Sequence, residues 1–121
     1  MVVDDDELLQ AMGNDRETVQ AVVRTFLRAL DAYQTELQAC LAANSVVSVR
    51  ETAHKLKGAL SSLRAPEACA DATALESAAL DGRSDELPGL ALVLLNSMSE
   101  VREHFASPKY RAPCPPYCAT T

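Results

Sequence analysis

The chain has 121 residues, of which 48% are hydrophobic and 23% charged, the composition of one ordinary globular domain with a core large enough to fold without staples. A formal net charge of -6 argues against phosphate-backbone binding, which needs a basic face, and gives no reason to expect attraction to anionic lipid. There is no apolar run of about 18 residues to span a bilayer, and the acidic start Asp4-Asp5-Asp6 has no apolar signal core. The reading is therefore of a cytoplasmic protein. The four cysteines, two in helical apolar stripes and two near the end, fit reduced thiols better than a disulfide framework.

Glycine and proline are scarce before residue 107 and the apolar periodicity is helical throughout. A short first helix is predicted over Asp4 to Met12, its acidic start matching the positive end of the helix dipole. Gly13-Asn14 breaks it and Asp15 caps the next helix, Arg16 to Ala43. The apolar stripe of that long helix includes Val19, Val23, Phe26, Leu30, Leu37 and Cys40, with Phe26 expected to be buried at its middle.

A third helix is predicted from Ser45 or Ser48, where Ser48 and Glu51 have capping-box spacing, to about Leu63. Pro66 opens a fourth, with Cys69, Ala72, Leu75, Ala79 and Leu80 expected inward and Asp81-Gly82 as its stop. The last helix runs from about Glu86 to Ala106, with Pro88 tolerated in its first turn. Residues 1–106 are read as the helical domain and 107–121, rich in proline, as a disordered tail or linker. Long helices joined by short loops give an all-α, antiparallel up-and-down bundle.

Chemistry concentrates on the third helix. At about 100° per residue His54 falls off the apolar stripe, with Arg50, Lys57 and Gly58 one turn away and Ser61 two turns on. An imidazole nitrogen is a nucleophile near neutral pH. Lys57 supplies a cation for a phosphoryl group, and Gly58 sacrifices about 1 kcal/mol of helix propensity to leave the approach open. No base, metal ligand or nucleotide loop accompanies the histidine, so the site is one that holds and passes a group. Val47, Arg50, Glu51, Gly58 and Ser61 are the expected docking surface, with Val47 an apolar residue on a polar face. Glu76 reads as a solvated or capping carboxylate and His104 as a structural cation near a helix C-terminus with no charged constellation around it. Cys114 and Cys118 are too few for a zinc site, so no metal is expected in this chain.

The run Ala53-His54-Lys55-Leu56-Lys57-Gly58-Ala59, followed by Ala65, Cys69 and Leu75-Glu76, resembles the core of the histidine-containing phosphotransfer (HPt) domains of multistep two-component relays. The resemblance implies a four-helix bundle with a short extra N-terminal helix and phosphorylation on His54. It implies Lys57 as the charge partner, Gly58 as the access residue and Ser61 as a polar contact. It also implies a monomer exchanging phosphoryl groups with receiver domains of hybrid kinases and response regulators, those partners bringing the aspartate and the Mg²⁺ and this chain no cofactor. Arg64 departs from the family pattern, which has Gly before the Ala. The alternative is a bundle that docks signalling partners without phosphotransfer, against which the pairing of His54 with Lys57 argues. A chemotaxis-type kinase would require an ATP-binding domain elsewhere in its chain.

Overall fold

The structure, a computed structural model, describes residues 1–110. It holds five α-helices, α1 (Asp5–Ala11), α2 (Arg16–Ala42), α3 (Val46–Ser62), α4 (Pro66–Leu80) and α5 (Leu87–Phe105). Short 3₁₀ turns cover Ser84–Glu86 and Pro108–Tyr110. α2 packs on α3, α3 on α4 and α4 on α5, and α5 closes back on α2, so the four long helices form the up-and-down bundle and α1 lies against one end. None of the described helices is long and apolar enough to cross a membrane.

The helix ends follow from short-range chemistry. Asp4 and Asp15 accept backbone N–H groups of Glu7 and Glu17 through their carboxylates and so cap α1 and α2. α3 is capped by Ser45, whose hydroxyl oxygen accepts the Ser48 N–H; the capping-box spacing of Ser48 and Glu51 is not used, because helix geometry is already established at Val46. At the other ends, α1 to α4 each finish in a left-handed residue: Gly13, Asn44, Arg64 and Gly82. The Schellman bonds are in place at each one, as where Ala65 N–H reaches Leu60 O at 3.0 Å and Arg64 N–H reaches Ser61 O at 3.0 Å. Arg64 thus adopts the glycine conformation at φ 55°. That costs roughly 1–2 kcal/mol relative to Gly, offset in part by its guanidinium, which donates to Ser61 O at 2.8 Å and pairs with Glu7 at 3.2 Å.

The core is leucine and alanine. Leu8, Leu30, Leu37, Leu56, Leu60, Leu63, Leu75 and Leu94 are fully enclosed, and Ala53 and Ala59 of α3 and Ala68, Ala72, Ala78 and Ala79 of α4 are buried with them. Four expectations need correction. Phe26 packs on the core from outside it, and the buried centre of α2 is Val19, Val23, Leu30 and Leu37. Cys69 is only half-buried. Leu80 is 65% exposed, since it sits five residues, or about 140°, from the buried Leu75 on α4. His104 is not isolated from charge: its Nε2 lies 2.8 Å from Asp5 Oδ1, tying α5 to α1.

Packing also continues past residue 106. Tyr110 is buried, its ring edge-on to Phe105 at 4.7 Å and its hydroxyl donating to Asp5. An apolar ring with a nearby carboxylate to receive its hydroxyl gains from burial, which a reading of 107–121 by proline content alone does not register. The remainder of that segment, with Cys114 and Cys118, lies outside the described residues.

Leu30→Ala should therefore destabilise the bundle by about 2–5 kcal/mol, and Phe26→Ala by clearly less, since its ring leaves no closed cavity. Urea denaturation of both variants decides it; equal losses would mean that Phe26 is enclosed after all.

Candidate functional site

His54 stands at the middle of α3 on the face turned away from the core. The buried residues of the helix, Val49, Ala53, Leu56, Ala59 and Leu60, fix its rotation, and His54 projects with 68% of its side chain exposed. Lys55, the next residue, leans toward α2, where its ammonium meets Glu36 at 3.1 Å and lies over the Tyr33 ring. That pairing raises the Lys55 pKa. Lys57 leans the other way, toward α4.

There it meets Glu76, which has two partners. Lys57 Nζ donates to Glu76 Oε1 at 2.8 Å, and His54 Nδ1–H donates to Glu76 Oε2 at 2.7 Å. A carboxylate only accepts, so the proton of a neutral ring sits on Nδ1 and the lone pair on Nε2. Nε2 has no hydrogen-bond partner among the described residues, and the exposed ring presents it to solvent. The Lys57 hydrogen bond is the main reason that the Glu76 carboxyl titrates below its ordinary value of 4.5; partial burial opposes it, and the His54 hydrogen bond adds to it.

Glu76 is therefore not a solvated carboxylate but the carboxylate partner of the histidine. Nothing in the pattern of α4 marks it: Leu75 turns inward, and its neighbour lands beside α3 only because the two helices pack as they do. The Leu-Glu pair within the family resemblance was the one available signal.

The remaining expected residues sort by position. Arg50 and Glu51 line, with His54, Lys55, Glu76, Ser77 and Leu80, an open groove of about 600 Å³ between α3 and α4. Val47 is 61% exposed, one helical turn before Glu51. Gly58 is exposed, and a Cβ there would meet nothing within 4 Å, so no packing demand explains it. Ser61 is exposed too, but it borders a different depression, with Arg64, Ala65, Pro66 and Cys69. Leu80, expected inward from its helical stripe, is the apolar residue of this groove. Among the described residues no group of three or more His, Cys, Asp or Glu side chains converges as a metal site.

Comparison with known proteins follows the same lines. The family model of the Hpt domain matches residues 21–104. Among solved structures, the crystal structure of histidine-containing phosphotransfer protein B (HptB) from Pseudomonas aeruginosa PAO1 superposes with a TM-score of 0.85 at 24% sequence identity. The match covers 93% of this chain and 97% of that one, and it shows that the two share a fold. No curated protein matches the chain.

The Glu76 interactions carry a pH signature. A carboxyl whose folded pKa lies below its unfolded one adds stability that is complete above the unfolded value, and loses it as pH falls through the folded value. The stability difference between the wild type and Glu76→Gln should therefore be largest near neutral pH and shrink once pH drops below about 4.5. Denaturant melts at several pH values measure it, and a difference constant down to pH 2 would show that Glu76 makes no charge-dependent contact in the folded state.

Proposed function

This chain belongs to the Hpt domain family, and from that premise we propose that it accepts a phosphoryl group on His54 Nε2 from the aspartate of one receiver domain and passes it to the aspartate of another. Members of this family are phosphocarriers in phosphorelays rather than kinases. The observation that carries the assignment to His54 is the ring's geometry: Nδ1–H is held by Glu76, while Nε2 faces outward with its lone pair free.

The division of labour follows from charge and space. His54 Nε2 attacks phosphorus in line with the departing carboxylate. Lys57, held within reach by Glu76, stabilises charge on the moving phosphoryl oxygens. Gly58, one turn from the ring, leaves room for the acidic pocket of a receiver to close over the imidazole. The receiver contributes the aspartate and the Mg²⁺, and this chain contributes no cofactor. We place the encounter in the cytoplasm, with the chain acting as a monomer.

Docking runs along the groove face. Val47, Arg50, Glu51 and Gly58 on α3, with Ser77 and Leu80 on α4, surround the histidine, and Ser61 lies at the far margin. Two exposed apolar side chains, Val47 and Leu80, frame the polar centre. A transient interface of moderate affinity needs such apolar contacts around its reactive group.

Incubation with a phosphorylated receiver domain tests the carrier role. His54→Gln should keep the helical circular dichroism spectrum and take up no acid-labile phosphate. Gly58→Arg should fold with helix stability raised by about 0.5–1 kcal/mol and yet transfer at least tenfold more slowly. Lys57→Ala should dock normally and transfer slowly, since the lost interaction acts on the moving charge. Phosphate uptake by His54→Gln would move the chemistry to another residue, and wild-type transfer by Gly58→Arg would mean that the receiver does not approach over this face.

Leu80 gives an independent test of the docking surface. Leu80→Glu should leave stability nearly unchanged, because the side chain is exposed, and should weaken receiver binding by about tenfold, the loss of one apolar contact of roughly 1.4 kcal/mol. Unaltered affinity in titration calorimetry would take α4 out of the interface.

A further inference from the structure

The carboxylate that orients His54 also sits where it controls the proton of the phosphorylated ring. We infer that Glu76 keeps the proton on His54 Nδ1 throughout the phosphorylated state, so that the carrier holds its phosphoryl group on an imidazolium and takes and gives it without moving a proton. The inference rests on the carrier role of His54 and concerns what happens after transfer.

The electron count dictates why this matters. In the accepting step the Nε2 lone pair forms the N–P bond, and the P–O bond to the donor carboxyl breaks with its electrons leaving on the aspartate carboxylate. The Nδ1 proton stays, and the ring is left with a positive charge. In the donating step a carboxylate oxygen of the acceptor forms a P–O bond, and the N–P electrons return to Nε2. With Nδ1 protonated the leaving group is neutral imidazole. With Nδ1 bare it would be imidazolate, a far poorer leaving group, and the phosphoryl group would be stranded.

The surroundings of the ring are mixed in charge. On α3 the cations Arg50 and Lys57 and the carboxylate Glu51 lie near it, and Lys55, which borders the same groove, pairs with Glu36 of α2. From α4 only Glu76 faces it with a charge, at 2.7 Å from Nδ1. Two nearby cations oppose an imidazolium; the carboxylate in direct contact favours it and also neutralises Lys57 through its second oxygen. Once a phosphoryl group is on Nε2 it offers Lys57 a competing partner, which leaves Glu76 freer to hold the ring proton. Glu76 is therefore a positioning residue with a second duty, preserving the activated form of the carrier.

The test labels the protein with phosphoramidate and follows the phosphohistidine ³¹P resonance as a function of pH, with His54→Gln identifying which resonance belongs to His54. In Glu76→Gln, a substitution of nearly the same shape, the midpoint of the ring titration should fall by about one pH unit relative to the wild type, the effect of removing an opposite charge in contact. Glu76→Asp should lie between them, and Glu100→Gln, a charge removed from the exposed part of α5, should match the wild type. Coincident midpoints for the wild type and Glu76→Gln, with both folded by circular dichroism, would overturn the inference while leaving the carrier role intact. A wild type with no resonance that His54→Gln abolishes would instead remove the carrier role, and this inference with it.

Discussion

The packing of α3 against α4 is the constraint on which the site depends. These two helices make the most extensive contact of the bundle, and their buried residues are mostly small, Ala53 and Ala59 on α3 and Ala68, Ala72, Ala78 and Ala79 on α4, together with Leu56, Leu60 and Leu75. Small side chains let two helices approach closely, and leucines filling the gaps lock their rotation. A carboxylate on α4 then spans to a histidine and a lysine on α3. Bulkier residues between the two helices would push Glu76 away from His54 without touching either residue. The near absence of aromatic residues, 4% of the chain, is the compositional counterpart of this packing.

The site is built so that the outward side of the imidazole is the least constrained part of it. The backbone of α3 is held by six buried side chains, the ring by one hydrogen bond to Glu76, and Lys57 by the other oxygen of the same carboxylate. Nε2 alone faces outward. In the proposed carrier role this is an advantage, because a partner need reorganise nothing in the protein before bonds can form. Although the chain carries a net charge of -6, Arg50 lines the groove beside the ring and Lys57 shares the Glu76 carboxylate with it, so the proposed site is locally cationic.

The ends of the bundle use a different economy. At four successive helix termini the chain turns through a left-handed residue, and only two of these are glycine. Asn44 tolerates the conformation through its short polar side chain. Arg64 does so with its guanidinium spread over Ser61 O and Glu7, and the same turn receives the Asp4 N–H on its carbonyl at 2.7 Å. The strained residue thus anchors α1 to the end of α3. At the neighbouring end of α5, Asp5 receives both His104 and Tyr110. α1 is thereby held by polar contacts at both of its flanks, in addition to burial of Val3 and Leu8.

What could be read without a structure is what one helix determines by itself. His54, Lys57 and Gly58 are separated by three and four residues, so their shared face follows from 3.6 residues per turn, and so does their opposition to Ala53, Leu56 and Leu60. The helix boundaries were legible for the same local reason, from Asp15, Pro66 and Gly82. Relations between helices were not. Glu76 as the partner of His54, Leu80 as a groove residue, and the pairing of Asp5 with His104 and Tyr110 all depend on how far each helix is rotated about its axis and on which neighbour it faces. Periodicity along one segment contains neither quantity. They are decided when the apolar faces close on one another, and the tertiary structure alone brings Glu76, 22 residues further along the chain, to within 2.7 Å of the imidazole.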